Sequence, residues 1–119
     1  MTDLVTELSG VPVLLCDDDG PKIAGTQDAL DLIGSAFSAA ETVAVPAGRF
    51  DEQFFHLRTG LAGEIMQKFV NYRIRLVVVG DISAHTQVST ALRDLVTESN
   101  RGSQIWFVND LGQLAARLS

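Results

Sequence analysis

Carboxylates cluster where two apolar runs of the sequence end. Residues 17–19 are three consecutive aspartates after the run 11–16, and Asp81 comes shortly after the run 74–79. The carboxyl ends of parallel strands meet at one edge of a sheet, and carboxylate oxygens suit a hard divalent cation. One hypothesis is therefore a rim at this edge for a small molecule or a divalent metal, or the site of a minor enzyme. The rim residues are Asp17, Asp19, Asp81, Ser83 and His85.

The same carboxylates have a simpler interpretation as solvated turn acids and helix caps. Residues 13–19 resemble the first strand of a response-regulator receiver domain, with Asp81 in the place of its phosphoacceptor, but no lysine follows Lys68 to complete such a site. Asp81, Ser83 and His85 lie in one turn, where a nucleophile, a base and an orienting acid rarely align. We therefore assign no catalytic residue, no metal ligand and no cofactor.

Thr59 and Gly60 interrupt a helical pattern that extends from residue 50 to residue 72. The pair predicts the end of one short helix and the cap of the next. A threonine there lies near free backbone N–H groups, which would stabilise a phosphate. Two interpretations stay open: an ordinary cap, or a regulatory phosphoacceptor at Thr59. The second predicts an interaction surface that includes Arg58, Gly60 and Leu61.

Cys16 is the only cysteine, so an internal disulfide and a multi-cysteine zinc site are both excluded. It follows two leucines in a predicted strand, which indicates a small core residue. The neighbouring aspartates would raise the pKa of its thiol and disfavour a reactive thiolate.

The formal net charge of −6 and the presence of only two lysines argue against a partner that is nucleic acid or an anionic membrane. The first ten residues are acidic and lack the basic and apolar regions of a signal peptide. No apolar run approaches the roughly 20 residues that a membrane-spanning helix needs. The sequence therefore predicts a cytoplasmic protein.

Apolar runs alternate with helical patterns along the whole chain. Residues 3–8 and 11–16 flank a Ser9-Gly10 turn and predict a hairpin, with the first strand at the edge of the sheet. The later elements alternate helix and strand, which favours helices packed on a largely parallel sheet. The predicted order is ββαβαβαβα: one α/β domain over residues 1–119, with a mixed sheet of four or five strands and about four helices.

Several segments resemble a family of bacterial proteins catalogued as domain of unknown function 4180. The resemblance covers nearly the whole chain and implies no established activity. It is carried by residues 27–34, 57–64, 67–73, 79–85, 89–94 and 98–102.

The order of elements also resembles the STAS domain of anti-anti-sigma factors. In those domains a phosphorylatable serine directly precedes a glycine at the start of the second helix. Thr59 and Gly60 fall at the corresponding place, whereas Leu57 and Arg58 replace the aspartate and serine of that motif. The resemblance implies a STAS-like fold and a regulatory phosphoacceptor at Thr59.

The leading hypothesis is a non-enzymatic bacterial regulatory domain that binds a protein partner and is switched by phosphorylation. The alternative is the ligand or metal site at the strand carboxyl ends. A third interpretation is a homodimer that associates through the exposed part of residues 50–55.

Overall fold

The predicted alternation of strands and helices is present in the structure, a computed structural model that describes residues 3–119. Single turns of 3-10 helix cover Ala47–Arg49, Glu52–Phe55 and Leu57–Thr59. The regular elements are β1 (Leu4–Leu8), β2 (Val11–Leu15), α1 (Thr26–Ala36), β3 (Thr42–Pro46), α2 (Leu61–Asn71), β4 (Arg75–Val79), α3 (Ser83–Thr86), α4 (Thr90–Arg101), β5 (Ile105–Val108) and α5 (Leu111–Leu118).

The five strands form one mixed sheet in the order β1-β2-β3-β4-β5. β1 is antiparallel to β2, and the remaining neighbours are parallel. The α/β class and the five-stranded mixed sheet are therefore confirmed. A fifth helix is present because the predicted helix after residue 83 is divided into α3 and α4. None of the helices within residues 3–119 is both long enough and apolar enough to cross a bilayer.

The β1–β2 hairpin closes through two residues with positive φ. Ser9 has φ 52° and Gly10 has φ 79°. Two such residues in a two-residue loop match the twist of the strands that they join, as in a type I′ turn. The predicted turn is confirmed, and β1 is an edge strand.

The sheet buries both of its faces because strand residues alternate between them. One face carries Leu14, Val43, Leu76 and Val78 and packs in the same cluster as buried side chains of α1, α2 and α4. The other carries Val13, Ala44, Val77 and Trp106 and packs against Leu114 of α5. Both aromatic residues of β5 are therefore core residues, with Phe107 on the first face and Trp106 on the second.

Helical spacing of the apolar residues predicts that Phe37, Tyr72 and Val88 face the core, but all three are exposed. Phe37 is 72% exposed because α1 ends at Ala36 and the chain leaves the helical conformation there. Tyr72 follows the last residue of α2, and Val88 lies between α3 and α4. The apolar spacing in the sequence continues beyond the ends of the helices. Periodicity alone therefore predicts burial for residues that lie outside the helices and are exposed.

Residues 50–55 give a homodimer no apolar surface. Phe50, Phe54 and Phe55 are all buried, and the exposed residues between them are Glu52 and Gln53. The rings of Phe50 and Phe54 stack with centroids 4.2 Å apart. The aromatic side chains of this segment therefore belong to the core beneath α2, and the exposed part of the segment is polar.

A buried guanidinium connects three distant parts of the chain. Arg49 is 4% exposed, and its Nη1 donates to Asp3 Oδ1 at 3.2 Å and to the carbonyl of Asp17 at 2.9 Å. Its Nε donates to the carbonyl of Pro21 at 2.9 Å. A Cβ at Gly20 would lie 2.3 Å from Arg49 Cζ, so only glycine allows this close approach. The network ties β1 and the loop after β2 to the end of β3.

We expect Arg49→Met to lower the free energy of unfolding by about 3 kcal/mol, because it leaves the Asp3 carboxylate and two carbonyls without their donor. Urea unfolding measures this loss. The matched control is Arg101→Met, which removes an ion pair with Glu98 whose two side chains are each 71% exposed. The control should change stability by less than about 1 kcal/mol. Equal losses in the two variants would contradict the role given to Arg49.

Candidate functional site

A groove of about 500 Å³ lies beside the carboxyl edge of the sheet. It separates the 3-10 turn Leu57–Thr59 from the segment that joins α3 to α4. Its position follows from the topology, because the connections after parallel strands leave the sheet at this edge. The residues that line it are Phe55, His56, Leu57, Arg58, His85, Val88, Ser89, Thr90 and Ala91.

The groove unites two residues that the sequence assigned to different sites. Arg58 belongs to the predicted interaction surface, and His85 belongs to the predicted acidic rim. The His85 ring stacks on Phe55 with centroids 4.3 Å apart and planes 10° from parallel. Phe55 is itself buried against Phe54, so the aromatic core fixes the position of the imidazole.

Thr59 closes the turn that carries Arg58. Its hydroxyl lies 2.9 Å from the carbonyl oxygens of both Gln53 and His56, either of which can accept its proton. The same oxygen accepts the backbone N–H of Leu61 at 3.2 Å. The N-cap of α2 is Gly60, one residue later than predicted, with φ 79° in the left-handed region. The hydroxyl of Thr59 thus joins the turn to the first residue of α2.

The three predicted surface residues around Thr59 differ in accessibility. Arg58 and Gly60 are exposed, whereas Leu61 is buried in the main core. A partner at this surface would therefore meet Arg58 and the backbone of Gly60. Leu61 anchors the start of α2 instead.

The groove combines apolar and cationic character. Val88 is 84% exposed and adds an aliphatic side chain to the lining of the groove. Arg58 and both histidines of the chain line the same groove, and none of its lining residues is a carboxylate. The N-terminus of α4 also lies here, capped by Ser89, whose hydroxyl accepts the N–H of Leu92 at 3.1 Å. This chemistry suits an apolar group next to an anionic one.

The acidic residues at the strand ends serve turns and caps. The backbone of Asp17 is bound by the Asp3 carboxylate and by Arg49, whereas Asp19 is exposed in the loop that follows. Asp81 accepts the backbone N–H of Ser83, the first residue of α3, at 2.9 Å. That hydrogen bond, followed by one from the Ser83 hydroxyl, lowers the pKa of Asp81 below its usual value.

These carboxylates do not converge on one point. A separate hollow of about 350 Å³ at the carboxyl ends of the strands is lined by Asp18 and Asp110, but not by Asp17, Asp19 or Asp81. Among residues 3–119, no three side chains of His, Cys, Asp or Glu are grouped closely enough to hold a metal ion. The alternative of a ligand or metal rim stays a prediction.

Cys16 is a buried core residue, as predicted. Burial raises the pKa of its thiol to about 12, and the adjacent Asp3 carboxylate adds to this effect more than Arg49 opposes it. The direction of the shift agrees with the sequence argument. Its causes differ, because burial and Asp3, not residues 17–19, are responsible.

The helical spacing of Val88 with Ala91 and Leu92 predicts a core residue, whereas Val88 is exposed and lines the groove. Ser89 is the signal that could have corrected this, since a serine three residues before Leu92 can cap a new helix. A helix that starts after Ser89 leaves Val88 in the preceding connection.

Comparison with known proteins gives one match. The family model described as "Domain of unknown function (DUF4180)" matches residues 8–118. No curated protein and no solved structure matches the chain. The resemblance of its element order to STAS domains stays a prediction.

The shifted pKa of Cys16 predicts a pH dependence of stability. The thiol ionises near pH 9.0 in the unfolded chain and near 12 in the folded one. Between these values the unfolded state binds fewer protons, so the free energy of unfolding falls as the pH rises. We expect this residue to contribute a slope approaching about 1.4 kcal/mol per pH unit.

Urea unfolding between about pH 8.5 and pH 10.5 would measure that slope. Cys16→Ala is the reference, because it keeps a small apolar side chain and removes only this titration. The slope should be shallower in the variant. The same slope in both proteins would show that the thiol does not contribute.

Proposed function

We propose that this chain, which belongs to the DUF4180 family, is a regulatory protein-interaction domain that docks its partner in the groove beside Thr59. The observation that carries the proposal is Val88, 84% exposed in a groove that also holds Arg58 and His85. The occupant that fits is a partner segment with an apolar side chain next to an acidic one. No catalytic role is assigned to the groove.

The charge of the groove differs from that of the whole chain. The chain carries a formal charge of −6, yet the charged residue that lines the groove at neutral pH is Arg58, with two imidazoles near it. An acidic partner segment would be attracted there and repelled by most of the remaining surface. Complementarity of this kind fixes the site and orientation of docking more than it adds affinity.

Thr59 supplies the regulatory step of the proposal. Phosphorylation would replace the hydroxyl proton with a group of nearly two negative charges. The carbonyl oxygens of Gln53 and His56 lie 2.9 Å from the Thr59 oxygen and would then face an anion instead of a donor. The turn that carries His56 and Arg58 would open, and the groove would lose one wall.

A photo-crosslinking amino acid at position 88 tests the docking site in cells of the native host. We expect it to capture a defined protein, whereas the same amino acid at exposed Gln27 of α1 should not capture that protein. Adding Arg58→Glu should reduce the yield about tenfold if the partner is acidic. Arg101→Glu makes the same charge change at the far end of α4 and should leave the yield unchanged.

The docking proposal fails if position 88 captures nothing, or only what position 27 captures. It also fails if Arg58→Glu and Arg101→Glu have the same effect. Either result would show that the exposed valine is not part of a specific interface.

Variants of Thr59 test the switch separately. Thr59→Ala removes the hydroxyl and Thr59→Glu adds a negative charge. Both should speed hydrogen exchange of the backbone N–H groups of Thr59 and Gly60 and lower the crosslinking yield at position 88. Thr59→Ser keeps the hydroxyl and should behave as the parent protein. The lost hydrogen bonds amount to about 1 kcal/mol, which leaves the domain folded.

Native protein gives the complementary measurement. Intact mass, followed by localisation of any added phosphate, should show phosphate on Thr59 under some growth condition. The switch is wrong if Thr59→Ala and Thr59→Glu both crosslink as the parent does, even if the docking site itself is correct.

A further inference from the structure

A second concave site lies at the amino edge of the sheet, opposite the groove. It has a volume of about 420 Å³ and contains three of the chain's seven arginines. β4, α5 and the connection after α2 supply one arginine each. The residues that matter to its chemistry are Glu41, Thr42, Arg73, Arg75, Trp106 and Arg117.

Two guanidinium groups lie over the ring of Trp106 at this site. The Cζ atom of Arg75 is 4.2 Å from the indole centroid, and that of Arg117 is 4.0 Å from it. The indole N–H donates to the carbonyl of Gly102 at 2.8 Å, so the ring is held in place. Strand register produces part of this arrangement, because Val77 pairs with Trp106 and Arg75 shares the face of Val77.

The positive charge of the site is not neutralised within the described chain. The ion pairs formed by residues 3–119 are Arg49–Asp3 and Arg101–Glu98, so no carboxylate lies within 4.0 Å of the three arginines. Burial and the neighbouring Arg117 lower the pKa of Arg75, as expected where two cations lie close together. Only Glu41 offsets the three arginines, which leaves a net lining charge of +2.

Most of the guanidinium donors remain free for a ligand. Arg75 donates to the carbonyl of Ser103 at 2.8 Å and, at 3.4 Å, to the hydroxyl of Thr42. Arg117 donates to the carbonyl of Asn100 at 2.8 Å. Each guanidinium has five N–H donors, so the hydrogen bonds within residues 3–119 use fewer than half of those on either residue.

We propose that this site binds a phosphate group, held by the guanidiniums of Arg73, Arg75 and Arg117. A phosphate monoester carries close to two negative charges at neutral pH and presents three acceptor oxygens, which match the lining charge and the planar donor pairs of arginine. The volume admits a small phosphorylated molecule. Contact with the Trp106 ring accounts for the positions of Arg75 and Arg117, but not for that of Arg73, which makes no such contact.

The ester and free phosphate share this chemistry. A neighbouring hollow of about 560 Å³ shares Arg73 and Glu41 with the site and contains the exposed rings of Phe37 and Tyr72. The organic part of an ester would lie on these rings. Inorganic phosphate would not reach them.

Trp106 is the only tryptophan and reports directly on binding. Its fluorescence should change saturably when the purified chain is titrated with inorganic phosphate or phenyl phosphate at constant ionic strength, and not with chloride. Arg73→Gln should weaken binding about tenfold without moving the indole, because Arg73 does not contact the ring. Arg117→Gln should weaken binding and should also change the tryptophan fluorescence spectrum of the ligand-free protein, because Arg117 contacts the ring. Arg93→Gln removes an exposed arginine near the other end of α4 and should have no effect.

Tighter binding of phenyl phosphate identifies an ester as the ligand type, and equal affinity identifies free phosphate. The proposal is overturned if neither probe gives a saturable change. It is also overturned if Arg73→Gln and Arg93→Gln bind both probes equally well. Neither result would bear on the groove at the carboxyl edge, because the two sites share no lining residue.

Discussion

The Arg49 guanidinium connects an edge strand and a loop to the centre of the sheet. β1 is the edge strand, and this side chain binds both the residue before β1 and the loop after β2 to the segment that follows β3. The network also affects the ionisation of a neighbouring thiol. Asp3 is held beside Cys16 and raises the pKa of that thiol, while the backbone of Asp17 is fixed within the loop. Cys16 and Asp17, which lie in an apparently reactive cluster in the sequence, therefore belong to a structural hydrogen-bond network and its immediate surroundings.

The two concave sites lie at opposite edges of one sheet and differ in chemistry for a topological reason. At the carboxyl edge, helices begin, so free N–H groups, caps and short turns gather there and form the groove around His85 and Val88. At the amino edge, helices end, and Arg117 donates to the carbonyl of Asn100 in the last turn of α4, while Arg75 donates to the carbonyl of Ser103 just after that helix. α4 reaches both edges, from its cap at Ser89 to Arg101.

The structural role of Thr59 is compatible with the regulatory role proposed for it. Its hydroxyl oxygen contacts two carbonyls and one N–H, an arrangement that an unmodified threonine satisfies and that a phosphate would not. The same contacts make the turn with Arg58 sensitive to any change at this position. A cap and a switch therefore need not be competing interpretations of this residue.

Local pattern determined the elements of this protein, and long-range contact determined its sites. The sequence alone predicted the α/β class, the Ser9-Gly10 hairpin, the break at Thr59-Gly60 and the buried Cys16, because turn chemistry and hydrophobic periodicity act over a few residues. Only the tertiary structure decided that Phe50 is buried, that Arg49 binds the backbone of Asp17, and that Arg75 lies on Trp106. Those outcomes depend on contacts such as Arg49 with Asp3, 46 residues apart, and on strand register, and no local pattern encodes either.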